Sequence, residues 1–191
     1  MSVYLALVHH PVLDRAGDVI TTAVTNLDVH DIARSARTYD LAGYFVVTPI
    51  EAQRTLVERI LGHWRDGAGA ARVPERSAAL ALCEVVDSVE DAAREIASRE
   101  GEAPEIWITS ARATEGLTDA AIAGARMRGR PSLVLFGTGH GLAPSLVEAA
   151  TGVIAPIRGA GAYNHLSVRA AVAITLDRLF GERGANPAGS D

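Results

Sequence analysis

The hydrophobic residues of the chain are concentrated in short apolar runs, and the segments between them repeat their apolar positions at helical spacing. Runs of this length between turn residues predict strands buried on both faces of a parallel sheet. We predict strands at Val3–Val8, Gly43–Thr48, Ala79–Val86, Pro104–Thr109, Ser132–Phe136 and Gly152–Pro156. The β-branched run Val19–Val24 fits either a short strand or an extended loop. Strands alternating with helices predict an α/β fold with a parallel-sheet, Rossmann-like core.

Helical periodicity defines the segments between the strands. In residues 25–39 the apolar positions recur at helical spacing, and Asn26 or Asp28 is the expected N-cap. Further helices are predicted at Pro49–Trp64, after a cap at Ser88, at Thr118–Met127, and in a closing segment that ends at Phe180. The closing helix is apolar on nearly every side between residues 170 and 174, so we expect it to be buried on more than one side.

Three glycines at alternate positions, Gly137, Gly139 and Gly141, follow the Ser132–Phe136 strand. Glycine permits sharp turns that bring backbone N–H groups close to a ligand, and parallel sheets bind ligands beyond the carboxyl ends of their strands. By itself the pattern is a weak indication of an anion-binding loop. It lacks the lysine of the phosphate-binding loop and the glycine spacing of the dinucleotide fingerprint.

Polar side chains are also clustered in two other segments of the chain. Thr109 and Ser110 lie at the end of the Pro104–Thr109 strand. The cluster of residues 163–167 lies at the beginning of the closing helix. The carboxyl end of a parallel strand is the edge at which such sheets bind ligands, so Thr109 and Ser110 are candidate contacts.

Arginine residues supply the candidates for contact with an anion. His30, Arg34 and Arg37 fall three or four residues apart and share a helical face that suits a phosphate or base edge, or ordinary exposure to solvent. The Gly- and Ala-rich segment 65–74 fits an RNA-contacting flap or a solvated connection equally well. A structural role at helix carbonyls is favoured over phosphate contact for Arg126, Arg128 and Arg130.

The composition is that of one globular domain. The chain has 191 residues, of which 48% are hydrophobic and 21% charged, enough for a full core. We expect a single domain over residues 1–181 and a disordered tail over residues 182–191, which are rich in Gly, Pro and Ser. Cys83 lies in an apolar run and is predicted to be a buried, unreactive thiol.

Features of membrane, secreted and metal-binding proteins are missing from the sequence. No run of about 18 uncharged apolar residues occurs, and the N-terminus lacks the basic region of a secretory signal, so we expect a cytoplasmic protein. His9 and His10 precede Pro11 and suggest a metal site. No cysteine, histidine or acidic partner lies at a ligand-like spacing, so we predict a strand-end loop and no metal.

The net charge of -5 argues against nucleic-acid binding, because domains that track phosphates are usually basic. The 18 basic residues are all arginine, which suits bidentate phosphate contact and stacking. A genome of biased base composition explains the arginine usage better, since alanine is also frequent. The net charge and the arginine content therefore do not decide whether the protein binds a nucleic acid.

Three segments of the C-terminal half resemble the consecutive cofactor-binding segments of the SPOUT, or α/β-knot, RNA methyltransferases, which use S-adenosylmethionine (SAM). They are residues 137–142 (Gly-Thr-Gly-His-Gly-Leu), 154–157 (Ile-Ala-Pro-Ile) and 163–169 (Tyr-Asn-His-Leu-Ser-Val-Arg). The chain resembles more narrowly a bacterial family of predicted RNA methyltransferases. The resemblance implies a C-terminal trefoil knot made by these segments, and a homodimer formed through the knot and the closing helix.

The resemblance also implies the cofactor and the site. SAM is the expected cofactor, and RNA, either tRNA or rRNA, is the expected methyl acceptor. Segment 28–34 is similar to the first SPOUT motif, so Asp28 and Arg34 are implied in catalysis or substrate positioning, together with His165 of the third motif. The implied cofactor-binding residues are Thr109, Ser110, Gly137, Thr138, Gly139, Gly141, Ile154, Pro156, Ile157, Asn164, Leu166 and Ser167.

Three departures from the ribose 2'-O branch of these enzymes leave the modified atom open. Asp28 stands where that branch has asparagine, Gly139 where it has glutamate, and His165 where it has asparagine. A base nitrogen and a ribose oxygen therefore remain alternatives. His140 and His165 are equally candidates for proton transfer and for structural hydrogen bonds. Rival hypotheses are a dimeric module that keeps the pocket without catalysis, and a methyltransferase acting on a protein or small molecule.

Overall fold

A computed structural model of the chain describes residues 1–65, 72–161 and 163–182. Residues 66–71 of the predicted flap or connection and residues 183–191 of the predicted tail lie outside the described residues. The strands are β1 (Val3–Val8), β2 (Val12–Leu13), β3 (Val19–Ile20), β4 (Gly43–Val47), β5 (Cys83–Val86), β6 (Glu105–Thr109), β7 (Leu117–Thr118), β8 (Ser132–Gly137) and β9 (Gly152–Ile154). The helices are α1 (Asn26–Thr38), α2 (Glu51–Arg65), α3 (Pro74–Leu80), α4 (Val89–Glu100), α5 (Ala120–Met127), α6 (Pro144–Glu148) and α7 (Val168–Phe180).

Seven of these strands form one sheet in the order β5-β4-β1-β8-β6-β9-β7, and every pair in it is parallel. All six residues of β1 are buried because helices cover both faces of the sheet. Val3, Leu5 and Leu7 face a core shared with α1, α2, α3, α5 and α7, whereas Tyr4 and the alternate positions face a core shared with α4 and α6. The predicted Rossmann-like α/β core is confirmed.

The strand order creates a crevice beside the central strand. From β1 the chain proceeds to β4 on one side, and it later returns to place β8 on the other side. Loops that leave the carboxyl ends of β1 and β8 therefore diverge and leave a space between them, which is where open parallel sheets bind ligands. Val8, Thr109, Gly137 and Ile154 end four strands at this edge.

The prediction of one strand over Ala79–Val86 was wrong in its first half. Helix α3 occupies Pro74–Leu80, and β5 begins only at Cys83. Alanine and leucine are strong helix formers, and proline is well accommodated in a first helical turn, so an apolar run of this composition does not distinguish helix from strand. Cys83 is buried, and burial raises the pKa of its thiol, which agrees with the predicted unreactive cysteine.

Smaller differences occur at the ends of other elements. The N-cap of α1 is Thr25, whose hydroxyl oxygen accepts a hydrogen bond from the Asp28 backbone N–H at 3.2 Å, rather than Asn26 or Asp28. Val19–Ile20 pairs antiparallel with Val12–Leu13, so the ambiguous β-branched run is a strand in its first two residues. The remaining residues of that run belong to no strand or helix.

The closing helix α7 packs against α1 and α5. Val172, Leu176 and Leu179 are buried in this contact, whereas Ala173 and Ile174 on another side stay half-buried. The close approach of α5 depends on a glycine. A Cβ atom on Gly124 would lie 2.2 Å from the Leu179 carbonyl oxygen.

Arginines near the amino end of β6 have the structural role that the sequence favoured. Arg126 and Arg130 contact the buried carboxylate of Glu105 at 2.7 and 3.5 Å, and Arg128 lies over the ring of Phe180. Their partners are a carboxylate and an aromatic ring rather than the predicted helix carbonyls. None of the helices in the described ranges combines the length and the hydrophobicity that a membrane span needs. The same ranges contain no group of three or more side chains placed to hold a metal ion.

Candidate active site

A cavity of about 720 Å³ lies at the carboxyl ends of β1, β6, β8 and β9, and α7 closes one side. Its lining includes almost all the residues predicted to bind the cofactor: Thr109, Ser110, Gly137, Thr138, Gly139, Gly141, Ile154, Pro156, Ile157, Asn164 and Leu166. Ser167 is outside this set, because its hydroxyl oxygen accepts a hydrogen bond from the Ala170 N–H and caps α7. Asp28 and His165 also line the cavity.

The glycine turn after β8 is held by the β2–β3 hairpin. The His140 N–H donates to the Leu13 carbonyl at 2.8 Å, and the Leu13 N–H donates to the Gly141 carbonyl at 2.9 Å. Gly139 and Gly141 have φ values of 59° and 117°, which residues with a side chain rarely adopt. A Cβ atom at Gly139 would also lie 2.8 Å from the Leu13 carbonyl oxygen. The turn therefore requires glycine at both positions.

A chain of hydrogen bonds at the base of the cavity fixes the tautomer of His9. The Thr138 hydroxyl donates to the Val8 carbonyl at 3.0 Å, which leaves its oxygen to accept from Thr22 at 2.5 Å. The Thr22 oxygen must then accept from His9 Nδ1, 2.9 Å away. Nδ1 consequently carries the proton, and Nε2 carries a lone pair.

His9 lines the cavity as a neutral imidazole with an unused acceptor. Its side chain is only 1% exposed, and Nε2 has no hydrogen-bond partner in the described part of the chain. Burial lowers the pKa of His9 to about 4, against the opposing attraction of the Asp28 carboxylate. This role was not predicted, because the histidine pair suggested only a loop or a metal site.

The burial of His9 predicts a specific loss of stability in acid. Its pKa is about 4 in the folded protein and about 6.5 when unfolded. Its contribution is therefore present above pH 6.5 and is lost as the pH falls toward 4. Between pH 7 and pH 5 we expect the free energy of unfolding to fall by about 2 kcal/mol more in the unmodified protein than in His9→Gln. Urea denaturation across this range tests the difference, and parallel curves for the two proteins would contradict it.

Asp28 is the buried carboxylate of the cavity. One oxygen accepts from the Thr25 hydroxyl and the other from Arg169 Nη1, both at 2.6 Å. Arg169 belongs to the first turn of α7, and its Nε also lies 3.5 Å from Asp31. The ion pair thus joins the beginnings of α1 and α7. Arg169 belongs to the resembling segment, but the sequence did not identify it as a site residue.

Arg34 lies apart from the other predicted catalytic residues. It follows Asp28 by six residues, which places the two side chains about 120° apart around a helix of 3.6 residues per turn. Arg34 lines a separate groove between α1, α2 and α3. The structure therefore brings Asp28 and His165 together and leaves Arg34 on another face of α1.

The outer part of the cavity carries one arginine and two histidines whose side chains are exposed to solvent. Arg112 follows β6, is exposed, and makes no ion pair within residues 1–65, 72–161 and 163–182. His140 and His165 are exposed, and the ring of His165 contacts that of Tyr163 at 5.2 Å. Gln53 does not line the cavity and has a structural role, because its side-chain oxygen accepts a hydrogen bond from the Val24 N–H at 2.9 Å. The cavity combines a polar base, an apolar wall and a charged mouth.

Comparison with known proteins gives one family and several relatives. A sequence model of a family described as SAM-dependent RNA methyltransferase matches residues 2–181. A tRNA (guanine-N(1)-)-methyltransferase of Oleidesulfovibrio alaskensis is 45% identical over 183 residues, which are 95% of this chain and 42% of that protein. A protein of Aquifex aeolicus described as uncharacterized is 38% identical over 94% of this chain and 88% of its own length. The chain spans about two fifths of the first relative.

The fold is also that of solved methyltransferases. The SpoU methyltransferase AviRb of Streptomyces viridochromogenes, crystallised with AdoMet, superposes with a TM-score of 0.58 and 15% identity. The match covers 93% of this chain and 58% of that chain. At this level of identity the similarity concerns the fold alone.

Proposed function

Because the chain belongs to the family of SAM-dependent RNA methyltransferases, we propose that its cavity binds SAM and presents the methyl group to a base nitrogen of RNA. The observation that carries this proposal is the meeting, in one cavity, of the glycine turn, the apolar wall and two hydrogen-bond acceptors, Asp28 and His9. The Oleidesulfovibrio alaskensis relative is described by its name as a methyltransferase of guanine N1 in tRNA. That activity belongs to a protein more than twice as long as this chain. We propose guanine in tRNA as the substrate.

The residues of the cavity fit SAM. Ile154, Ile157 and Leu166 offer an apolar wall for the adenine, and the glycine turn offers backbone groups at close range. Arg112 has no carboxylate of its own within the described ranges and suits the carboxylate of the cofactor. When bound, SAM supplies a methyl group on a sulfonium that is already activated for transfer.

Two acceptors at the base of the cavity match the guanine edge. The Watson–Crick edge of guanine presents two adjacent donors, the N1–H and the 2-amino group. Asp28 and His9 both line the cavity, and the Asp28 carboxylate raises the pKa of the imidazole against the larger effect of burial. A ribose hydroxyl presents only one donor and can engage only one of these two acceptors, whereas the guanine edge can engage both. The pair therefore supports a base nitrogen over a ribose oxygen.

Methyl transfer to a base nitrogen requires the protein to align that nitrogen with the methyl group and to remove its proton. We assign the proton to Asp28, because it is the carboxylate of the cavity and is oriented by Thr25 and Arg169. His9 accepts a second hydrogen bond from the base and fixes its rotation. His165 and His140, at the exposed mouth, suit transfer of the proton to water. Asp28 holds the proton, while bound SAM would supply the methyl group to this nitrogen and would keep the electron pair of the carbon–sulfur bond on sulfur.

Further parts of the proposal concern architecture. We propose that residues 1–181 form one domain, that segments 137–142, 154–157 and 163–169 form a trefoil knot, and that the protein works in the cytoplasm. We also propose a homodimer through the knot and α7. The half-buried residues Ala170, Ala173 and Ile174 support this interface, since apolar residues at a helix surface are typical of subunit contacts.

Calorimetric titration with SAM and with S-adenosylhomocysteine tests the cavity. Ala171 lines the cavity from α7, so Ala171→Phe should fill it and lower SAM affinity at least about tenfold. Ala125→Phe, at an exposed position of α5, is the matched control and should bind normally. Transfer of tritiated methyl to unmodified tRNA transcripts, followed by nucleoside analysis, should give 1-methylguanosine.

Other results of the SAM titration and the methyl-transfer assay would each contradict a specific part of the proposed function. Methylated rRNA, or another methylated nucleoside, would overturn the tRNA guanine assignment and keep RNA methylation. Transfer to protein or to a small molecule alone would overturn RNA as the substrate. SAM binding with no transfer to any of these would favour the non-catalytic module, and no SAM binding would overturn the cofactor site.

A further inference from the structure

A second concave site lies on the side of α1 that faces α2 and α3. This groove, which we call the tryptophan groove, has a volume of about 570 Å³. Its lining residues are Asn26, Leu27, His30, Asp31, Arg34, Arg59, Ile60, His63, Trp64 and Arg76. None of them lines the cofactor cavity. The groove is rich in aromatic rings and arginine, whereas the protein as a whole carries a net charge of -5.

Trp64 is the centre of the groove. The guanidinium of Arg76 lies over its ring at 5.2 Å, and the rings of His30 and His63 meet it edge-on at 5.5 and 5.4 Å. Nδ1 of His30 is buried and has no hydrogen-bond partner within the described residues. An indole with a stacked guanidinium offers a stacking surface to a heterocyclic base.

The arginines of the tryptophan groove have no carboxylate partners. Arg34, Arg59 and Arg76 form no ion pair in the part of the chain that the structure describes. Arginines elsewhere, such as Arg99 and Arg126, are paired with glutamates. Three unpaired guanidinium groups outnumber the one carboxylate of the groove, Asp31, which lies 3.5 Å from Arg169, so the local field is positive and attracts an anionic ligand.

We propose that the tryptophan groove binds an unpaired nucleotide of the RNA substrate, next to the nucleotide that is methylated. The base stacks on Trp64 beside Arg76, and the phosphates contact Arg34 and Arg59. Single-stranded RNA is favoured over duplex because a base can stack on a side chain only when it is free of its own helix. This inference rests on the proposed function, since it takes RNA as the substrate.

Helix α1 connects the groove to the cavity. Asp28 lines the cavity, whereas His30 and Arg34 of the same helix line the groove. Arg169 of α7 contacts both Asp28 and Asp31. An α-helix is about 10 Å across with its side chains, so a strand of RNA laid over α1 reaches both sites. The predicted substrate role of Arg34 then needs no contact with the cavity.

The test compares RNA binding by matched variants. Arg34→Gln/Arg59→Gln removes two exposed charges at the groove, and Trp64→Ala removes the stacking ring. Arg94→Gln is the control, because Arg94 is 77% exposed on α4, on the opposite face of the sheet. The probe is an unmodified tRNA transcript, measured by filter binding from low to moderate salt. SAM affinity is measured for every variant.

We expect Trp64→Ala to weaken RNA binding about tenfold. The double arginine variant should lower the slope of log affinity against log salt by about 1.4, or 0.7 per lost phosphate contact. In methylation assays KM should rise while kcat stays within about twofold. Arg94→Gln should match the unmodified protein, and SAM affinity should stay constant throughout.

Three outcomes would overturn the inference. The first is unchanged RNA binding and KM in both groove variants while methylation proceeds, which leaves the proposed function intact. The second is conversion of a dimer to a monomer by Arg34→Gln/Arg59→Gln in sedimentation, which would make the groove a contact between copies of the chain. The third is failure of the unmodified protein to bind tRNA or rRNA, which would overturn the proposed function itself.

Discussion

Asp28→Asn should lower the single-turnover rate of methyl transfer at least about a hundredfold, the usual worth of a positioned general base. Asparagine keeps the shape, and its one oxygen can still accept from Arg169 while its amide N–H faces the Thr25 hydroxyl oxygen, but it cannot take a proton from the substrate. SAM affinity should change little, because the proposed contacts to the cofactor come from the glycine turn and the apolar wall. The measurement is rapid quench with saturating tRNA and tritiated SAM.

The matched control is Asp31→Asn. Asp31 lies one turn further along α1 and also contacts Arg169, at 3.5 Å, but it does not line the cavity. Its single-turnover rate at saturating RNA should stay within about threefold of the unmodified protein. Equal rates for Asp28→Asn and the unmodified protein would show that another group takes the proton, and His165 would become the first candidate.

Gly124→Ala should be the most destabilising of the changes considered. The new Cβ atom would lie 2.2 Å from the Leu179 carbonyl oxygen, which belongs to the backbone of α7 and cannot rotate away. Helix α7 must therefore move, and we expect a loss of about 3 kcal/mol or more in the free energy of unfolding. SAM affinity should fall as well, because Arg169 and Ala171 of α7 line the cavity.

Gly62→Ala provides the opposite expectation for the same chemical change. Gly62 lies inside α2, and a Cβ atom there would meet nothing within 4 Å. Alanine favours helix over glycine by about 1 kcal/mol, so this variant should be slightly more stable. Urea denaturation of both proteins tests the pair. Equal stabilities would mean that α5 and α7 do not approach as closely as the structure indicates.

The parts of the fold that follow from local pattern were predictable. The β1 strand was predicted with its observed bounds, because a buried parallel strand gives a continuous apolar run with clear ends. The region around α3 was not, because alanine and leucine suit both a helix and a buried strand. Pattern fails where composition satisfies two structures and only the tertiary contacts decide between them.

The residues of the candidate site also include some that the local sequence predicted and some that it did not. The turn glycines were predictable since their spacing in the sequence is part of the site. The role of His9 was not predictable, because it depends on a chain of hydrogen bonds through Thr22 to Thr138. Thr138 lies 116 residues from Thr22 in the sequence. Arg169 contacts Asp28 across 141 residues and likewise leaves no local trace. Hydrogen bonds between distant segments determine which polar residues are functional, and a single sequence does not contain those pairings.

The two tryptophans of the chain differ in their exposure, although an arginine guanidinium lies over the ring of each, and this gives the protein two natural optical reporters. Trp107 is 1% exposed and lies under Gly152 of β9, so its emission should be blue-shifted and should change only when the core opens. Trp64 is half-buried beside arginine and histidine in the tryptophan groove. Its emission is the one that a stacked nucleobase would quench, so a single fluorescence spectrum separates unfolding from ligand binding.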